Sequence, residues 1–149
     1  MCIRDSDRPV PLPGDGTTIT QIGHVEDLAE AMARSLEVDA SCNRIYNCSA
    51  KKGITFRGLI EASALACGRA PESLDLRSFD PSGVDPKARK GFPLRLSHFL
   101  TDISRVEREL AWTPRFDALA CMADSYQRDY ALEPTSAPDF TADEVLIGA

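Results

Sequence analysis

The sequence predicts a mixed α/β fold, and three features carry that reading. The stretch Gly14–Leu36 (GDGTTITQIGHVEDLAEAMARSL) passes from a β-branched run through a glycine corner into an amphipathic helix. Short strand-like runs then alternate with helical runs along the rest of the chain. No apolar run approaches the ~20 residues that a membrane helix needs.

Taken in order, residues 1–8 show neither period, and Met1–Ser6 is expected to be a cloning or sequencing scar ahead of a chain that starts inside a longer protein. A Pro-rich extended segment follows from Pro9 to Pro13. Thr17 to Ile22 reads as a strand. Beyond Gly23, apolar residues recur at Val25, Leu28, Ala29, Met32 and Leu36, which predicts a helix with that face inward. Glu26 and Asp27 occupy its first turn, where carboxylates complement the positive helix end. The corner invites a phosphate-site reading. Only one glycine lies there, however, and two acids would repel a phosphate, so a plain corner is preferred. His24 is read as a capping or packing residue, with no acidic partner visible beside it.

Arg44–Cys48 (RIYNC) reads as a short strand and Lys51–Gly53 as a turn. Thr55 is the expected N-cap of a helix carrying Phe56, Leu59, Ile60, Ala64 and Cys67 on one face and ending at Gly68. Ser73–Phe79 alternates as a half-buried strand. Asp80 to His98 has no usable period, and holds Lys87, Arg89, Lys90 and Arg95 with Phe92 and Phe99 close by. Such a run is usually a solvated loop, but cations interleaved with rings also suit unpaired nucleic acid. Asp102 is the expected cap of a helix, Ile103 to Leu110, closed by Trp112 and Pro114. A last helix, opened by Phe116, should bury Phe116, Leu119, Ala123, Tyr126 and Tyr130. The division expected is a scar or linker (1–8), an α/β piece (9–133) and an acidic, aperiodic tail (134–149).

At 149 residues the chain is one domain's worth. Its 17 Lys and Arg against 23 Asp and Glu leave a net charge of −6, which argues against a general polyanion-binding surface while allowing a local basic patch. Five cysteines form no C-x-x-C pair and, with two histidines, no zinc constellation. Buried free thiols in a reducing compartment are the simpler reading. No secretory leader or membrane span is expected.

The ordered set His24-Val25-x-Asp27, Tyr46-Asn47, Thr55-Phe56 and Asp102-x-Ser104-Arg105…Leu110-Ala111-Trp112-x-Pro114 resembles the C-terminal half of the extended short-chain dehydrogenase/reductase family. That family includes the NAD-dependent epimerases and dehydratases of sugar nucleotides. Within it the chain is most similar to the chloroplast stem-loop-binding proteins and their cyanobacterial relatives. This likeness rests on Ile19-Thr20-Gln21-Ile22-Gly23-His24, on Phe92-Pro93-x-Arg95-x-x-His98-Phe99 and on Asp139-Phe140-Thr141-x-Asp143. The resemblance implies the substrate-side part of a Rossmann-like fold whose dinucleotide-binding half is missing. It also implies a cyanobacterial cytoplasm or a chloroplast stroma.

Departures sharpen this expectation. The family's Gly-rich turn and its Tyr-x-x-x-Lys pair are not in the chain, so no cofactor site is expected here; NAD(P) would belong to the intact protein, and Mg to a nuclease. Where sugar-nucleotide epimerases carry a pyrophosphate-clamping arginine, Thr20 stands, and a neutral hydroxyl cannot make that charge-assisted pair. Ala111 replaces a frequent glycine, a cost if the position is left-handed. The resemblance therefore implies stem-loop RNA as the partner, through Thr20, Gln21, Lys87, Arg89, Lys90, Phe92, Arg95 and His98. A sugar nucleotide is the alternative ligand, with Arg95 its phosphate contact. A non-catalytic scaffold in a ribonucleoprotein assembly is the third reading, and the parent's own N-terminal Rossmann half is a further partner.

Overall fold

The computed structural model describes residues 8–84, 97–131 and 140–148. Strands β1 (Val10–Pro13), β2 (Ile19–Thr20), β3 (Ile54–Thr55) and β4 (Leu76–Phe79) alternate with helices α1 (Val25–Glu37), α2 (Phe56–Ala66), α3 (Ser104–Leu110), α4 (Ala118–Ser125) and α5 (Thr141–Ile147). β1 pairs parallel with β4, and β2 pairs antiparallel with β3.

The Pro-rich segment read as merely extended is the strand β1. Val10 N–H donates to Asp75 O at 2.8 Å and Gly14 N–H to Phe79 O at 2.9 Å, so even-numbered residues face β4. Pro11 and Pro13, which have no N–H to give, fall on the other edge, where proline is tolerated. β4 itself starts at Leu76, three residues later than expected, because Pro71–Ser73 winds into a 3₁₀ turn.

α2 starts and stops as its sequence dictates. Thr55 Oγ1 accepts from Gly58 N–H at 3.0 Å, and Gly68 takes a left-handed φ of +78° just past the end. Phe56, Ile60, Ala62 and Ala64 are buried on this helix, which packs against α4 and β1. A second core lies under α1 and α3, where Ala31, Ile103, Val106, Leu110 and Trp112 meet and Val38, Tyr46 and Cys48 pack against them.

Four further expectations change. α1 exists over almost the expected span, but it buries Asp27 and Ala31, while Val25, Leu28, Met32 and Leu36 face outward. Arg44–Cys48 is extended but has no ladder partner among the described residues, so it is not a strand. The last long helix begins at Ala118, capped by Asp117 Oδ1 on Ala120 N–H at 2.9 Å, and turns Ala118 and Cys121 inward, leaving Leu119 exposed. It then widens into a π turn over Tyr126–Tyr130. In the segment expected to be an aperiodic tail, Thr141–Ile147 is helical and lies against β1 and β4; Arg8 pairs with Glu144 and sits over the Phe140 ring at 4.6 Å.

α3 ends on a non-glycine residue in left-handed geometry: Ala111 has φ 49° and ψ 33°. The last carbonyls of the helix are met from α1, since Arg34 Nη1 donates to Ala111 O at 2.7 Å and Leu110 O at 3.3 Å. The left-handed conformation costs an L-residue roughly 1–2 kcal/mol, while glycine's freer unfolded chain takes back about 0.4–1. Ala111→Gly should therefore stabilise the chain by about 0.5–1 kcal/mol in urea melts. Ala33→Gly, exposed inside α1, should instead destabilise it by about 1 kcal/mol. Equal losses at both positions would refute the strain.

Candidate functional site

Of the residues expected to contact a ligand, Thr20, Gln21 and His98 lie among the described residues, and they gather around β2. Lys87, Arg89, Lys90, Phe92 and Arg95 lie outside them. Ile19 organises the group. Its N–H donates to His98 Nδ1 at 3.0 Å, and its carbonyl accepts from Phe99 N–H at 2.9 Å. With Nδ1 serving as acceptor, the His98 proton sits on Nε2, and the ring is exposed to solvent. Gly53 is required beside it, because a Cβ there would lie 2.7 Å from Ile19 Cγ2 and 2.5 Å from Leu100 Cδ2. Lys52 is exposed next to that glycine.

Gln21 has a structural task. Oε1 accepts from Thr101 N–H at 2.6 Å and Thr101 Oγ1 at 2.9 Å, while Nε2 donates to Ala50 O at 2.6 Å. One amide thus ties the 97–103 segment to the turn before β3. Thr20, half-buried on β2, presents no charge at all.

At the other end of the Gly23 corner lies a network that local sequence could not reveal. Asp27 is buried, and its carboxylate accepts from Arg115 N–H (3.0 Å), Phe116 N–H (3.1 Å) and Arg115 Nε (3.2 Å). Its backbone carbonyl accepts from Trp112 Nε1 at 2.9 Å. His24 caps α1, accepting from Glu26 N–H at Nδ1 (3.2 Å), so its Nε2–H donates to Asp124 at 3.0 Å. The acidic partner missing from the local sequence comes from α4, a hundred residues on. Phe116 stacks on the His24 ring at 3.8 Å. Both imidazole nitrogens are engaged, so His24 packs and caps; it is not poised as a general base.

A cleft of about 360 Å³ opens beside this corner, lined by Gly23, Val25, Leu28, Cys48, Ser49 and Trp112 among others. Its chemistry does not fit a dinucleotide pyrophosphate: the α1 N-terminus is closed by His24, and Glu26 and Asp27 follow directly. Among the described residues no three His, Cys, Asp or Glu side chains are grouped to hold a metal ion. Thiols here are protonated. Burial raises Cys48, and burial together with the charges of Asp27, Asp117 and Asp124 pushes Cys121 from its ordinary 9.0 up to about 11. Burial and a hydrogen bond to Glu109 likewise raise the Tyr46 phenol.

No family model matches the chain. Solved structures define its class. It superposes on UDP-glucuronic acid 4-epimerase from Bacillus cereus with a TM-score of 0.62 at 16% identity, covering 85% of this chain and 36% of that one. UDP-glucose-4-epimerase from Stenotrophomonas maltophila gives 0.63 at 23%, covering 83% and 35%. The fold is thus that of the C-terminal part of Rossmann-like epimerases and dehydratases. More particularly, the chain is a homologue of the chloroplast stem-loop binding protein of 41 kDa b from Arabidopsis thaliana, 36% identical over 141 residues. That match takes in 94% of this chain and 37% of the relative, so the chain spans little more than a third of its relative's length. No helix among the described residues is long and apolar enough to cross a membrane.

Two predictions test the corner. Asp27→Ala leaves two backbone N–H groups without acceptors and should cost roughly 2–5 kcal/mol in urea melts. Arg115→Ala removes only a guanidinium that is 56% exposed and should cost under about 1 kcal/mol. A reversed order would mean that the ion pair, not the backbone bonds, holds the corner. Cys121 titrates from about 9 unfolded to about 11 folded, so the native state holds its proton longer, and stability should fall as pH rises from about 9 to about 11. Cys121→Ala should reduce that slope in the pH series, leaving what the raised Cys48 thiol and Tyr46 phenol contribute; an unchanged slope assigns it to other groups.

Proposed function

We propose that the intact protein to which this chain contributes its C-terminal part binds stem-loop RNA. The observation that carries this reading is the 36% identity to a stem-loop binding protein across 94% of the chain. The site supports it in two ways. Thr20 offers no charge for a sugar-nucleotide pyrophosphate at the place where epimerases use an arginine. Around it, His98 Nε2–H, the Lys52 ammonium and the exposed Phe99 ring provide a phosphate donor, a cation and a stacking face. Lys87, Arg89, Lys90, Phe92 and Arg95 precede His98 in the sequence.

On this reading the protein works in a chloroplast stroma or a cyanobacterial cytoplasm, and the N-terminal Rossmann half is its partner in the same polypeptide. Any NAD(P) site belongs to that half. RNA cleavage, with Mg as its cofactor, is a further activity to test. The fold of the sugar-nucleotide enzymes favours one alternative, a sugar nucleotide held through Arg95. Micromolar affinity for UDP- or GDP-sugars by calorimetry would establish it in place of RNA.

With a net charge of −6, attraction to RNA must be local: cations to phosphate and rings to bases. In titrations of the full chain against a stem-loop RNA at several salt concentrations, replacing Lys87, Arg89 and Lys90 by Ala should flatten the salt slope by about two units. Phe92→Ala should lower affinity by about 1–3 kcal/mol with the slope unchanged. If the triple variant binds like its parent at every salt concentration, the segment is a solvated connection and the RNA contacts lie elsewhere.

A further inference from the structure

The segment that carries His98 and Phe99 is tied to β2 partly through side chains. One backbone bond runs from Phe99 N–H to Ile19 O at 2.9 Å. Two further ties use side-chain acceptors: Ile19 N–H donates to His98 Nδ1 at 3.0 Å, and Thr101 N–H donates to Gln21 Oε1 at 2.6 Å. Gln21 is itself anchored. Its Nε2 donates to Ala50 O at 2.6 Å, and Ala50, 1% exposed, gives its own N–H to Ile22 O at 2.7 Å. The amide orientation follows from its neighbours, since a flipped group would set NH2 against Thr101 N–H and oxygen against Ala50 O. The Thr101 hydroxyl lies 2.9 Å from both Gln21 Oε1 and Ser49 Oγ. Because Oε1 can only accept, Thr101 donates to Gln21 and Ser49 donates to Thr101. Ser49, Thr101, Gln21 and Ala50 thus close a directed polar ring that hangs the segment from a buried residue.

We propose that Gln21 is a positioning residue of the RNA site. Acting through Thr101, it holds His98 in the one tautomer and orientation that sends Nε2–H to solvent. The proposal rests on the RNA reading above, and it gives Gln21 a different part from the direct contact its place in the sequence suggests. Without Gln21, His98 would depend on the Ile19 bond, which is exposed, and one exposed hydrogen bond is too weak to fix an imidazole. An amide is needed at this position, because a glutamate would set a carboxylate oxygen against Ala50 O. The donor presented by His98 is neutral, so this contact adds nothing to the salt dependence of binding.

The chain has two histidines, so long-range proton–nitrogen correlation spectra can follow both imidazoles in the 149-residue chain. At about pH 8 an ordinary imidazole is neutral. His24, an Nε2–H tautomer held by Asp124, is the internal reference. The parent should show His98 as a single Nε2–H tautomer, and Gln21→Met should convert it to a mixture while His24 stays unchanged. Thr101→Val keeps the shape and the N–H but removes the hydroxyl, which serves if Gln21→Met fails to fold. It should also mix the His98 tautomers, and Thr101→Ser should not. Titration of the same chains with a synthetic hairpin RNA reads the function. Gln21→Met should weaken binding at least about tenfold, with the salt slope unchanged. His98→Asn keeps an acceptor for Ile19 N–H but lacks the outward donor, and in that background Gln21→Met should cost no more than about twofold. Equal losses in both backgrounds mean a merely structural role and overturn the proposal. A single Nε2–H tautomer retained in Gln21→Met and Thr101→Val overturns it too, and leaves the RNA reading standing if the parent binds the hairpin. A parent that binds no RNA overturns that reading, and the proposal with it.

Discussion

One buried carboxylate holds this structure together. Asp27 sits in the first turn of α1, where a negative charge is already favoured by the helix end, and there it accepts two backbone N–H groups from the stretch joining α3 to α4. Those bonds fix the chain direction after Pro114. They bring Phe116 onto His24 and let the Trp112 indole reach the Asp27 carbonyl. Once Phe116 is held outside the helix, Asp117 becomes the cap of α4, and α4 in turn delivers Asp124 to His24. Cap, stack and core tryptophan are thus consequences of a single satisfied anion. Left without its acceptors, this connection would leave half-buried backbone donors unpaired at the junction of three helices.

How much of this was legible in the sequence depends on where each interaction's partner lies. The helices and their caps are local events. Thr55 and the period of α1 could be read directly, as could the cost of an alanine at a left-handed helix end. α3, by contrast, starts at Ser104 with Ile103 at its N-cap position, and Asp102, expected to be the cap, lies one residue earlier and accepts from Ser104 N–H at 2.8 Å. Asp27 was legible only as a helix-end charge, because the groups it binds are 88 and 89 residues away. His24 looked unpartnered for the same reason. β1 was hidden by its prolines, which mark an edge by composition but leave the parity of donors to be seen only in the paired strand. The direction of the α1 stripe failed differently. The amphipathicity was read correctly, but an apolar face points inward only if the chain supplies something to cover it.

The candidate ligand surface was legible as a set of residue types and not as an arrangement. Gln21 read as a ligand contact of the same standing as Thr20, and its amide uses Oε1 and one Nε2 hydrogen in tying Thr101 to Ala50. His98 read as one polar residue at the end of an aperiodic run. Its acceptor nitrogen in fact completes the backbone bonding of β2, which fixes the tautomer and turns the donor nitrogen to solvent. A side chain can serve the scaffold with one atom and face a ligand with another, and sequence alone does not divide those roles.

That division bears directly on the ligand surface proposed above. The residues that hold β2 in place act through the His98 Nδ1 acceptor, the Gln21 amide and a glycine whose Cβ position is crowded, so they tolerate little change. Thr20 lies between them on a two-residue ladder and is half-buried, with no role in the Asp27 network. An arginine or a threonine at that position leaves the network untouched and decides only whether an anion is met by a fixed charge. The corner that sets the fold and the surface proposed above to meet the ligand are therefore physically separate, with Gly23 between them.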